Sequence, residues 1–394
     1  MKRLLAAAMV IPVGLAVAVV AKASASPADY SCDSGGSCGG SGSGTGPTCL
    51  PSNPYLSVPD RLYSASGTSD SDVWAAGLMP SSSLIMHWNG SCWSVSYDEP
   101  VGFFYGVSAV STSDAWAVGG TSWWNPSQTL AEHWDGTSWT VVPTPIEGGS
   151  ALFNAVAATS AANAWAVGEI GPGPGVPAAA SPLIEHWDGS AWSAQPFAVP
   201  ITGGTFTDVA ATSPDNAWAV GYTGTVSEGT GQTTVIEHWD GSSWTRVSSP
   251  DPAGSANFLN GVAIIAPDDI WAVGFTISGS GVAQSLTMNW DGSTWSVVPS
   301  PNATSDGTVL HGVAGAASND VWAVGQNPSC TCETVAMHWN GSTWTVVSTP
   351  DPPTTYLNTL LGVTAISGDD VWAVGSANYA STLIEHWDGS SWRD

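Results

Sequence analysis

Positive charge is what this sequence has least of. Six Lys and Arg stand against 32 Asp and Glu in 394 residues, a formal charge of −26. A chain so short of cations cannot neutralise a run of phosphates, which excludes nucleic acid as a partner. The same shortage excludes docking on an anionic membrane surface. Charge of either sign is scarce, at 10% of residues, while apolar residues make up 43%. That balance belongs to a folded chain and not to an acidic disordered one. Helical periodicity is missing as well: beyond the N-terminus no stretch repeats its apolar residues every 3.6 positions. No long apolar run follows Leu4 to Val20, so no further membrane insertion is expected.

That first run reads as an export signal. Met1-Lys2-Arg3 is a short positive start, and Ala23-Ser24-Ala25 places small residues at a cleavage site. The expected product is secreted and extracellular, with residues 1–25 removed. Its only cations are then Arg61, Arg246 and Arg393. The six cysteines, Cys32, Cys38, Cys49, Cys92, Cys330 and Cys332, form an even set. In an exported chain such a set reads as disulfides, and their spacing does not choose the pairing. Cys330 and Cys332 have no second pair at metal-site spacing, so no zinc or other metal site is expected. Residues 26–54 read as a Gly/Ser-rich linker.

Tryptophan is abundant, at 23 residues. W-A-V-G, once W-A-A-G, recurs with its Trp at 74, 116, 165, 218, 271, 322 and 372. A string like H-W-D-G-S-S-W recurs with Trp pairs at 88/93, 134/139, 187/192, 239/244, 290/295, 339/344 and 387/392. Only Trp123 and Trp124 fall outside this pattern, so the excess is structural repetition. The repeats start near 60, 102, 151, 204, 257, 308 and 358. Each reads as four strands. In the last repeat these are 360–365, 371–375, 382–387 and a strand opening at Trp392, with Asp388-Gly389 as a tight hairpin turn. Seven such units predict an all-β, seven-bladed β-propeller over residues 55–394, since a lone blade cannot bury its faces. Residues 55–59 resemble a fourth strand and are expected to complete the outer edge of blade 7, closing the ring by pairing N- and C-terminal strands. Cys49 and Cys92 are placed to staple that join.

Length varies in only two places. The distance from the W-A-V-G Trp to the next Trp runs from 14 to 22 residues, and the link from strand four to the next strand one varies too. In an up-and-down blade both connections emerge on one face, and variable loops on a rigid scaffold carry binding. Twelve residues before each W-A-V-G Trp stands a large apolar residue, and beside it lie Tyr63, Tyr105, Asn154, Thr207, Asn260, His311 and Leu361. Alternation along the strand turns this second set away from the core. Its six polar or aromatic members are ligand-binding candidates at the mouth of a central channel. Phe103, Trp123 and Trp124 join them as exposed aromatics on the loops of repeat 2.

Glu-His-Trp-Asp recurs in repeats 2, 3, 4 and 7. Neighbouring strand residues face opposite sides, so this reads as framework: a turn, cross-strand hydrogen bonds and Trp packing. Asp72, Asp114, Asp269 and Asp370, just ahead of the W-A-V-G strands, read as turn-forming residues. Calcium at such acidic loops is the only cofactor with any support, and no EF-hand spacing backs it. G-x-S-x-G and H-E-x-x-H are absent. The arginines are too few and scattered to clamp a carboxylate as a sialidase does. No catalytic residue is assigned.

The unit W-A-V-G … E-H-W-D-G-S-S-W resembles a kelch-type blade, in which a Gly-ended second strand leads to a Trp on the next hairpin. It is most similar to secreted W-A-V-G repeat proteins of actinobacterial type, kelch-like or like the central propeller of galactose oxidase. The chain has one Gly where kelch has two, except at Gly119-Gly120. The oxidase copper site needs paired Tyr and His with a Tyr–Cys crosslink, and no Cys accompanies Tyr63 or Tyr105. The resemblance therefore implies the fold and not the activity. The expected function is non-catalytic binding of a glycan or protein partner by a monomer, through the variable-loop face. The alternatives are an enzyme at the channel mouth, a lyase or a glycan-active one, using His311 and Tyr105 as acid–base groups, and a structural extracellular matrix or surface protein.

Overall fold

Strand follows strand in antiparallel order, and each group of four forms its ladders only within itself. The computed structural model describes residues 30–32, 38–40, 50, 60–122, 127–145, 149–171, 180–197, 203–224, 231–252, 256–328, 333–352, 358–378 and 381–394. Seven four-stranded antiparallel sheets stand in a ring, each in sequence order from inner to outer strand. The inner strands are Arg61–Ser69, Phe103–Ser111, Ser150–Ser160, Gly204–Ser213, Ala256–Ala266, Val309–Ala317 and Thr359–Ser367. Among the described residues there is no helix. The fold is the seven-bladed β-propeller that the repeats predict.

Every third-to-fourth-strand hairpin turns on a glycine with positive φ. These are Gly90, Gly136, Gly189, Gly241, Gly292, Gly341 and Gly389, all between 85° and 90°. That left-handed conformation explains the Asp-Gly and Asn-Gly pairs. The Asp carboxylate completes the turn: Asp135 Oδ1 accepts from the amides of Thr137 and Ser138 at 2.8 and 2.9 Å.

The core lies between blades. One apolar cluster joins Trp165, Val167 and Ile184 of blade 3 to Phe206, Val209 and Trp244 of blade 4. Another joins Trp372, Val374 and Ile384 of blade 7 to Leu62, Val73 and Trp93 of blade 1. Each W-A-V-G Trp meets the fourth-strand Trp of the next blade edge to face, as Trp165 meets Trp244 at 5.0 Å and 88°. Trp372 meets Trp93 at 5.5 Å and 81°, so the same contact crosses the seam.

Packing therefore crosses that seam as it crosses the other six blade interfaces. The fourth strand of blade 7 is the C-terminal Trp392–Arg393. Residues 55–59, expected to extend that edge, lie outside the described residues. Leu50, within the stretch read as linker, is buried in the seam cluster and donates its amide to Trp93 O at 2.8 Å. Cys92 is held in a disulfide. Tyr30–Cys32 pairs with Cys38–Gly40, setting Cys32 opposite Cys38. Cys49, Cys330, Cys332 and the export signal at 1–25 lie outside the described residues.

Candidate functional site: the channel and its loop-face mouth

Each inner strand carries two extra residues, and the first of them faces the channel. Register skips between Leu62 and Ser64, Phe104 and Gly106, Phe153 and Ala155, Phe206 and Asp208, Leu259 and Gly261, Leu310 and Gly312, and Leu360 and Gly362. The skipped residues are Tyr63, Tyr105, Asn154, Thr207, Asn260, His311 and Leu361. A β-bulge, and not regular alternation, sets this position apart. The W-A-V-G glycine makes the bulge possible, because it faces the residue just before it. A Cβ on Gly274 would lie 2.0 Å from Phe258 O, and one on Gly375 would lie 1.9 Å from Thr359 O.

All seven bulge residues line one cavity of about 320 Å³ along the ring axis. Several spend their donors on the neighbouring blade. Asn154 Nδ2 donates to Phe206 O at 2.8 Å and to Thr205 Oγ1 at 3.0 Å. Thr207 Oγ1 donates to Leu259 O at 2.7 Å, and Asn260 Nδ2 donates to Leu310 O at 2.7 Å. These three candidates tie blades 3 to 6 together. Each tie contributes about 1 kcal/mol net. His311 makes no such tie: its Nε2 is buried without a hydrogen-bond partner among the described residues. Burial also lowers its pKa to about 4, so the imidazole is neutral at pH 7.

Tyr63 and Tyr105 behave differently. Their rings meet edge to face at 4.7 Å and 89°, and both stay half-buried. Phe103 abuts Tyr105 at 4.9 Å. It is 1% exposed, which corrects its reading as an exposed loop aromatic. It opens the inner strand of blade 2 opposite Gly120, and its ring fills the space that glycine leaves. Trp123 and Trp124 lie outside the described residues.

Two carboxylates here were not singled out from the sequence. Asp208 stands on the channel wall, one residue past the blade 4 bulge. Its oxygens accept the amides of Val209 and, across the blade boundary, Val262, each at 2.8 Å. Burial pushes its pKa up to about 7 against those two bonds. Glu169 lies two residues before the end of the second strand of blade 3, opposite Leu152. Burial raises its pKa, and the Thr205 hydroxyl opposes the shift. The only signal in sequence is that blade 4 has Asp where blades 2, 5, 6 and 7 have Gly after the bulge.

The opposite face is the same in every blade. The third-strand His donates Nε2–H to the Asp or Asn that opens the second strand: His87 to Asp72 at 2.8 Å, His186 to Asn163 at 2.7 Å, His386 to Asp370 at 2.7 Å. In blade 5 Asn289 donates to Asp269 at 2.8 Å instead. The imidazole also stacks on the W-A-V-G ring, as His386 does on Trp372 at 4.0 Å. The next Trp donates to a carbonyl of the first turn, as Trp187 does to Ala161 O at 3.0 Å. Glu-His-Trp-Asp is therefore framework. The turn-forming reading of Asp72, Asp114, Asp269 and Asp370 is corrected. A serine three residues ahead of Asp72, Asp114 and Asp370 closes the turn, as Ser69 Oγ does for Ser71 N, whereas Ala266 stands there in blade 5; all four carboxylates reach across to the third strand.

No family model and no curated protein matches the chain. Solved structures do. A structure described as YCF48 bound to D1 peptide is similar with a TM-score of 0.52 at 17% identity, over 87% of this chain and 99% of that one. A streptogramin B lyase is similar with a TM-score of 0.53 at 13% identity, over 85% and 96%. A fucose-specific lectin of Aleuria aurantia is looser, with a TM-score of 0.49 at 13% identity over 87% and 96%. Identities this low show the fold alone.

Proposed function

We propose that the protein is a secreted, kelch-like propeller that binds a glycan or protein partner, without catalysis, at the loop-face mouth of its channel. One observation supports this most. Seven blades share one frame, yet their bulge positions carry Tyr, Tyr, Asn, Thr, Asn, His and Leu around a single cavity. Framework chemistry repeats, whereas recognition chemistry is asymmetric. The mouth has half-buried phenols on blades 1 and 2 with Leu361 of blade 7 next to them. The fold is known in both uses, a peptide-bound YCF48 and a lyase, so fold alone does not choose.

Asp208, with its pKa near 7, shares the cavity with His311 and Tyr105, and this favours an acid–base enzyme as the second reading. Against it, both Asp208 oxygens hold backbone amides and His311 Nε2 is out of contact with solvent.

The test is a glycan array on the mature protein, with Tyr63→Ala/Tyr105→Ala and Trp123→Ala/Trp124→Ala as variants. Specific binding that either pair abolishes, with an unchanged melting temperature, supports a lectin-like role on this face. Binding retained by both variants would move the site elsewhere. An array without binding shifts the reading to a protein partner.

A further inference from the structure

One residue past the bulge the blades differ again. Ser64 stands there in blade 1 and Asp208 in blade 4, whereas blades 5, 6 and 7 carry Gly261, Gly312 and Gly362. The next residue holds the same ladder position in every blade, as Val262 opposite Ala272 and Val363 opposite Ala373 do. Its amide turns away from the second strand, to the channel edge. Where a polar side chain stands on the preceding blade, that amide is bonded. Ser64 Oγ accepts from Val107 N at 3.3 Å, and Asp208 Oδ2 accepts from Val262 N at 2.8 Å. Asp208 Oδ1 also accepts from Val209 N of its own strand at 2.8 Å, so one carboxylate bridges two blades. Among the described residues no side chain does this for Val313, Val363 or Ala65.

Those three residues follow one another on blades 6, 7 and 1, and all line the cavity. Glycine keeps the space beside their amides open. A Cβ on Gly312 would lie 3.4 Å from Val363 N, and one on Gly362 would lie 2.9 Å from Ala65 N. The same glycines join the amides to the mouth. Their Cβ positions are 3.1 Å from Leu361 O and 3.0 Å from Tyr63 O, and the Tyr63 ring meets Tyr105 at 4.7 Å. His311, whose Nε2 has no partner among the described residues, directly precedes Gly312. Successive backbone donors on a concave wall take an anion. Asp208 shows which anion fits this wall, because its carboxylate already spans the equivalent amides of blades 4 and 5.

We propose that the amides of Val313, Val363 and Ala65 receive the C-terminal carboxylate of a protein partner, with the side chain of its last residue against Leu361, Tyr63 and Tyr105. This rests on the loop-face reading above and names the end of the partner that enters. Charge selects that source. With 32 acidic and six basic residues, the protein repels polyanions such as acidic glycans at long range. A chain terminus brings one negative charge to short-range donors, a known mode of peptide capture. An apolar last residue matches Leu361 and the two phenol rings.

The experiment is calorimetric titration of the protein with N-acetyl-Gly-Gly-Leu as the free acid and as the C-terminal amide. The acid is expected to bind at least about tenfold more tightly, the scale of hydrogen bonds to a charged group. Because the protein's field opposes the ligand, raising salt from about 0.05 to about 0.5 M should strengthen binding. Binding that salt weakens would point to an arginine and overturn the seat. In amide NMR spectra the acid should move the Val313, Val363 and Ala65 protons downfield. Val209 and Val262, already bonded to Asp208, should stay in place, and the reverse pattern would overturn the seat. Gly312→Asp, which gives blade 6 the carboxylate that blade 4 has, should abolish binding of the acid. The amide shifts need no variant and decide even if Gly312→Asp does not fold. Acid and amide bound equally, and both lost in Tyr63→Ala/Tyr105→Ala, would overturn the carboxylate seat and keep the loop-face reading. No binding of either peptide would also overturn the seat, and would leave the loop-face reading to the glycan array.

Discussion

At the residue scale, one buried position of the third strand tells most. It is Met86, Met288 and Met337 in three blades and Glu132, Glu185, Glu237 and Glu385 in the other four, and all seven have zero exposure. At Glu237 and Glu385 burial raises the carboxyl's pKa, so the position disfavours the charged form. Glu237 shows this directly: burial pushes its pKa up to about 7, with the Arg246 charge only partly opposing. A raised folded pKa means stability that is full below the unfolded value and is lost as pH rises through the folded one. The window therefore runs from 4.5, the ordinary Glu value, to about 7. Glu237→Met should gain stability over wild type progressively across that window and level off above it. Melting temperatures at intervals from acid to neutral pH check this, and a constant gain at every pH would overturn it. The E-H-W-D string was legible as framework from its recurrence. That its Glu is buried was not, because a charged residue beside His and Trp in sequence gives no sign of which face is covered.

At the element scale, the bulge is the device that turns a repeated strand into a site. It needs the W-A-V-G glycine, where a Cβ would overlap the inner-strand carbonyl. Gly274→Ala should cost more than about 3 kcal/mol, the upper range for backbone and packing defects. It should also break the Asn260 tie to Leu310. Chemical denaturation reads the first, and amide exchange in blades 5 and 6 reads the second. A variant as stable as wild type would show that the bulge does not depend on that glycine. The bulge position was visible in sequence as an invariant spacing to the Trp carrying a varied residue. The bulge itself was not, since one sequence gives strand spacing but not the register of the partner strand. The consequences were real: Asn154, Thr207 and Asn260 spend their donors on blade-to-blade bonds, and Phe103 turns inward.

At the scale of the whole molecule, the ring is held by seven equivalent interfaces and one of them joins the two ends of the repeat region. Trp372 against Trp93 and Trp88 crosses that seam. Truncating a buried Trp costs about 3–5 kcal/mol, and each blade leans on two neighbours. Trp372→Ala should lower the melting point of the entire propeller in a single transition, followed by calorimetry. A separate early transition confined to blade 7 would show that the seam is not coupled to the rest.

The sequence by itself determined the architecture. Seven copies of a four-strand pattern that cannot bury its own faces have to stack, and the count of copies sets the ring. It also determined the framework chemistry, because whatever recurs in every blade is serving the blade. The mouth was decided only by the tertiary structure. Tyr63, Tyr105, Asp208 and His311 come from four different blades, and nothing that repeats along the chain predicts their identities. Their meeting depends on ring closure, which brings inner strands to a common axis, and on the bulge, which sets one residue of each outside the ladder. Repetition encodes a scaffold locally, whereas the site consists of the departures from repetition, and only the closed ring sets those side by side.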